Sequence, residues 1–119
     1  MGNKKTYQPP PKFLTPSGNN HEHHICLYDS MLNSYSWRSL SNGARSLYLI
    51  ILSQYKGKYT GDTVICPYSY MQKHGIRRGS IPKWSKELQE KGFIKIAGGG
   101  LYKQPNQYKL IGEWFNNDQ

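Results

Sequence analysis

Two adjacent arginines, Arg77 and Arg78, open a segment in which Ser80, Lys83 and Lys86 follow at three-residue intervals. A guanidinium is a planar fork that can donate two parallel hydrogen bonds to the edge of a guanine, whereas an ammonium neutralises phosphate as a point charge. The expected division of labour is base readout by Arg77 and Arg78, an extension of that surface by Ser80 and Lys83, and a phosphate contact at Lys86. Further on, Lys95, Lys103, Gln104 and Asn106 surround Gly98-Gly99-Gly100 and are candidates for backbone or minor-groove contact, and the Tyr68 hydroxyl is a candidate phosphate donor. The competing reading of such charges is a solvated helix face. Against it stands their concentration: residues 71–104 hold eight basic and two acidic side chains.

The surrounding residues specify the elements that would hold these groups. Pro67 suits a first helical position and Gly75 a left-handed stop, so Pro67 to His74 reads as a two-turn helix followed by a tight turn. A second helix is expected to begin between Arg78 and Ser80, with Ser80 as N-cap or else Arg78, because Pro82 is tolerated only in a first turn. Ile81, Trp84, Ser85 and Leu88 then share one face, Gly79, Lys83, Lys86 and Glu90 the opposite one, and Gly92 ends the helix. Two alternating runs, Phe93-Ile94-Lys95-Ile96 and Gln107-Tyr108-Lys109-Leu110, flank the glycines as a hairpin whose tip would use positive φ. Upstream, Asp29 and Ser30 can cap a short helix containing Met31 and Leu32, and Ser41 a longer one with Ala44, Leu47, Tyr48, Ile51 and Tyr55 in one stripe.

This order predicts an α+β, mainly helical chain: a winged helix-turn-helix, with a three-helix core, a short β-hairpin wing and an extra N-terminal helical segment. Residues of about 24 to 111 resemble the small winged-helix domains of phage, plasmid and mobile-element proteins. The resemblance rests on Leu27-Tyr28-Asp29-Ser30-Met31-Leu32, Tyr35-Ser36-Trp37-Arg38-Ser39-Leu40-Ser41 and Ala44-Arg45-Ser46-Leu47-Tyr48, then on Gly75-Ile76-Arg77, Glu87 through Ile94 and Asn106 through Leu110. It implies duplex DNA as partner, in a transcription regulator or a replication-initiation accessory factor. His74, where such families place an aliphatic residue, and Gly79 with Pro82 depart from their pattern. The alternative is a protein-interaction module of a replication or partition complex, since one fold serves both purposes.

A chain of 119 residues suffices for one core and leaves no room for a separate catalytic domain. The expected layout is a flexible arm over 1–23, rich in proline, asparagine and lysine, the domain over 24–115 and a tail over 116–119. A net charge of +9 favours an anionic partner. No acid pair, activated nucleophile or phosphate-cradling loop is legible, so no enzyme activity and no cofactor are expected. Neither is a metal: adjacent histidines in His21-Glu22-His23-His24 point to opposite faces of an extended chain, and no second ligand pair joins Cys26. Cys26 and Cys66 read as reduced thiols, His74 as a partly buried, hydrogen-bonded histidine, and the apolar run Leu47 to Leu52 is too short to span a bilayer, which leaves a cytoplasmic protein with no membrane partner. Of the tyrosines, Tyr59, Tyr68 and Tyr102 are expected outside the core. Leu49 and Ile50 fall outside the α-helical stripe, so either Met31, Leu32 and Trp37 cover that side or a second copy of the chain does; with Trp114 and Phe115 they form the candidate homodimer face.

Overall fold

The computed structural model describes residue 9 and residues 23–57, 61–99 and 105–117. Helices α1 (Asp29–Leu32), α2 (Tyr35–Arg38) and α3 (Asn42–Leu52) lead to strand β1 (Thr63–Ile65) and helix α4 (Tyr68–Lys73). A 3-10 turn, Arg78–Ser80, runs into α5 (Ile81–Glu90), followed by β2 (Ile94–Gly99), β3 (Pro105–Leu110) and α6 (Glu113–Asn117). The strands form one antiparallel sheet in the order β1-β3-β2. Helix α3, strand β1, helices α4 and α5 and the β2-β3 hairpin make a winged-helix-type α+β arrangement, with α1 and α2 as the extra N-terminal helices.

Local chemistry explains the boundaries. The Ser41 hydroxyl accepts from Ala44 N at 3.2 Å and so caps α3 as expected. Both α4 and α5 end in the same left-handed device: Ile76 N donates to Met71 O and Gly75 N to Gln72 O, each at 3.0 Å, and Phe93 N donates to Leu88 O at 3.0 Å and Gly92 N to Gln89 O at 3.1 Å. Gly75 and Gly92 have φ of +96° and +87°, and the residues that follow them, Ile76 and Phe93, are buried.

Several expected boundaries are corrected. Pro67 is the N-cap of α4 rather than its first helical residue, because its ψ of 154° is extended and its carbonyl already accepts from Tyr70 N and Met71 N. Ser80 holds the N-cap position of α5 as expected, but its side chain makes no capping bond, because the 3-10 turn, closed by Ser80 N donating to Arg77 O, has already put Ser80 in the helical region. Pro82 falls in the first turn, where its missing N–H has no partner to lose. Tyr28 stands at the N-cap of α1 with no side-chain bond, and Asp29 is in the first turn. The α3 stripe stops at Ile51, since the helix ends at Leu52 and Tyr55 is exposed.

The core gathers Ala44, Leu47, Tyr48 and Ile51 of α3, Met71, Ile81 and Leu88 of the helix-turn-helix, and Val64, Ile94 and Tyr108 of the sheet. Strict alternation puts Val64, Tyr108 and Ile96 in register on the inner sheet face and Thr63, Lys109 and Lys95 on the outer one. Phe93 is the hub of an aromatic cluster, with Tyr48 at 5.4 Å, Trp37 at 5.8 Å and Trp114 stacked at 6.1 Å between ring centroids. Trp37 meets Tyr48 of α3 edge-on at 6.0 Å, and Met31 and Leu32 join the same core. Ile50 and Trp114 pack against the core while remaining half-exposed, Leu49 is also half-buried, and Phe115 is exposed. Helix α6 was not legible in the sequence: it docks through Trp114 N donating to Gly92 O at 3.0 Å.

Candidate nucleic-acid interface

The entry to α5 is set by the α4 stop and the 3-10 turn. Arg77 is extended (φ −71°, ψ 135°), and Arg77, Arg78 and Gly79 are all exposed. The Arg78 guanidinium lies over the Tyr68 ring, 5.4 Å from its centroid. Cation–π stacking of this kind narrows the directions in which the fork can point. Tyr68 itself is a correction: it is buried, not outside the core, and burial pushes its hydroxyl pKa up, with Arg78 pulling the other way. Its ring carries the Arg78 guanidinium on one face. Tyr59 and Tyr102 lie outside the described residues.

One turn on, Lys83 and Lys86 are exposed while Ile81, Ser85 and Leu88 are buried, as the helical spacing requires. Lys83 Nζ stands 6.0 Å from the centre of the Trp84 ring. That ring in turn fills the space above Gly43 in the first turn of α3, where an added Cβ would come within 2.1 Å of Trp84 Cε2 and Cζ2. Ser80 is half-buried and makes no side-chain capping bond.

The acids of α5 differ in their use. Glu87 is folded back onto the N-terminus of α3, accepting from Ser41 N at 2.6 Å and from Ser41 Oγ at 2.7 Å. A carboxylate at that position satisfies an otherwise orphaned N–H and faces the positive end of the helix dipole. Glu90 remains exposed near the helix C-terminus. Not every basic residue is on offer either. Arg45 donates through Nε to Trp37 O at 3.2 Å and through Nη2 to Arg38 O at 2.9 Å, binding α2 to α3.

In the wing, Lys95 and Lys109 face each other directly across β2 and β3 on the outer sheet face, both exposed. Like charges in direct opposition destabilise a ladder. Asp62 relieves this weakly, 3.9 Å from Lys109 Nζ with both side chains about half-exposed or more. Lys109 was missed as a site candidate; alternation places it outward, but only the register pairs it with Lys95. Gly98 sits at a register shift within β2 and not at positive φ, and beside it the Ile96 N–H donates to Gln89 Oε1 at 2.8 Å. Lys103 and Gln104 lie outside the described residues, and Asn106 falls in β3 with its side chain outside them.

Comparison with protein-family models, curated proteins and solved structures finds no match to this chain. The fold and the placement of its side chains are therefore the observations from which function is read.

Outside this surface, His74 is exposed, its ring tilted 52° against Tyr70 at 4.5 Å between centroids, in place of the partly buried site expected for it. The His23 ring nitrogen Nε2 lies 2.9 Å from Ser53 O. Among the described residues no group of three histidine, cysteine or acidic side chains is arranged to hold a metal ion. Cys26 is exposed and Cys66 buried, with no bond between them. No helix of the described residues is long and apolar enough to cross a membrane.

Proposed function

We propose that this chain binds double-stranded DNA, reading the major groove with the entry of α5 and contacting backbone or minor groove with the wing. The observation that carries this reading is the exposed set of Arg77 and Arg78 at the entry to α5 and Lys83 and Lys86 on it, a helix whose other face is buried and whose Glu87 is turned onto α3. Arg77 and Arg78 at the helix entry are the base-reading pair, Lys83 and Lys86 the phosphate contacts, with Lys95 and Lys109 as a second phosphate anchor. The resemblance of residues 24 to 111 supports a transcription regulator or replication-initiation accessory factor of a phage, plasmid or mobile element. Its action is binding and not catalysis, and its working compartment is the cytoplasm.

A mobility shift with random-sequence duplex tests the proposal. Raising salt from about 50 to 200 mM should weaken binding by roughly 10³-fold or more if at least six phosphates are contacted. A flat salt response, or no binding at the lower salt, would replace DNA with a protein partner docked on the same surface.

A further inference from the structure

A cleft of about 490 Å³ lies among the chain entering α1, the C-terminal end of α3, the start of β1, the end of β3 and helix α6. It includes none of the residues at the entry of α5 and meets the wing only through Asp62, 3.9 Å from Lys109 Nζ. We propose that this cleft binds an organic cation, a quaternary ammonium carrying an apolar group.

The lining states the chemistry. Tyr28, Tyr48, Tyr55 and Trp114 bring four aromatic side chains to one space, with Met31 beside them. Aromatic rings attract cations through their faces, and a set of rings around one space is the arrangement that recognises quaternary ammonium groups. Two of the four are fixed in place, because Tyr48 and Trp114 both pack on Phe93, at 5.4 and 6.1 Å. The other two are 70 % and 42 % exposed (Tyr28 and Tyr55), as expected of rings at a mouth that a ligand must pass.

Charge points the same way. In a chain of net charge +9, the described lining residues include one carboxylate, Asp62, and no lysine or arginine. Asp62 Oδ1 accepts a long bond from Thr63 Oγ1 at 3.4 Å, and Oδ2 lies 3.9 Å from Lys109 Nζ. Both contacts are exposed and at the limit of their range, which leaves the carboxylate capacity for a further cation. The volume fits a small organic ligand and is underfilled by an ammonium head alone, so an apolar substituent is required to cover Met31 and the aliphatic walls.

The test titrates the full chain with benzyltrimethylammonium and, separately, with its neutral carbon isostere neopentylbenzene, reading calorimetric heat and tryptophan fluorescence. The expected result is at least about tenfold tighter binding of the cation. Asp62→Asn should weaken the cation several-fold and leave the isostere unchanged, and Tyr55→Leu should reduce the preference between the two. Both positions are exposed, and urea midpoints verify that the variants fold; if either does not, the wild-type comparison decides alone. Equal affinity for the isostere would mean an apolar cleft without cation recognition, and absence of cation binding at 10 mM, or an Asp62→Asn variant indistinguishable from wild type, would equally overturn the assignment.

Discussion

Glu87 of α5 and Ser41 of α3 close each other's chemistry: the carboxylate takes both the Ser41 N–H, at 2.6 Å, and its hydroxyl, at 2.7 Å. The same hydroxyl oxygen accepts from Ala44 N, so a single serine links the α3 cap to α5. Glu87→Ala should cost about 1–3 kcal/mol of folding stability, the range for a charge-assisted hydrogen bond at a helix N-terminus. Ser41→Ala should cost a similar amount, and the double variant less than the two together, because the contact can be lost only once. Urea midpoints of the three proteins measure this; strict additivity would show that the two residues act separately.

Gly43 and Trp84 give a second test, in which two effects of opposite sign compete. Alanine is favoured over glycine in a helix interior by about 1 kcal/mol. Here, however, the new Cβ would come within 2.1 Å of the indole, and Trp84 is wedged between α3 and α5. Overpacking of this kind costs about 1–3 kcal/mol, so Gly43→Ala should be destabilising on balance. Replacing Trp84 by Leu in the same chain should recover part of the loss. A Gly43→Ala protein more stable than wild type would mean the indole swings out at little cost.

Periodic and punctuating residues made most of the architecture legible. Gly75 and Gly92 mark helix ends that the structure closes with identical bond pairs, and Ile81, Ser85 and Leu88 mark the buried face of α5. What stayed hidden depends on partners distant in sequence. Nothing local distinguishes Glu87 from Glu90, yet one caps a helix 46 residues away and the other is solvated. Tyr68 reads as a surface residue until α5 is folded beside it. Helix α6 has five residues and is held by a bond to Gly92 and a stack on Phe93, neither of which leaves a periodic trace. Lys109 is placed outward by alternation, but only the register pairs it with Lys95.

The Arg78 guanidinium lies over the Tyr68 ring, and under the proposed function the two should act together on base preference. Arg78→Ala should relax base preference at one position of a selected site by about 1–3 kcal/mol, whereas Lys86→Ala should weaken all duplexes alike and shallow the salt slope by about one unit. Tyr68→Leu keeps a buried apolar side chain but removes the ring, and should shift preference at the same position as Arg78→Ala. Site selection from a random pool, repeated on each variant, reads this out. If Arg78→Ala and Lys86→Ala change affinity uniformly, the helix entry does not read bases.

Burial fixes the alkaline limit of the fold. It pushes the Cys66 thiol from 9.0 up to about 12 and the Tyr48 hydroxyl from 10.0 up to about 12, and it raises Tyr108 as well, with Tyr68 adding to the rise and Ser85 opposing it. All three groups are neutral when protonated, and the unfolded chain ionises them first. Their contribution is therefore fully present below pH 9 and is lost as pH rises toward 12, with Tyr48 alone withdrawing about 3 kcal/mol across its interval. The urea midpoint should hold steady from about pH 7 to 9 and fall steeply above 10. At about pH 8 iodoacetamide should modify the exposed Cys26 and spare Cys66 until denaturant is added. Equal labelling of both thiols in the native protein, or a midpoint unchanged to pH 11, would mean that α3 and β1 do not enclose these groups.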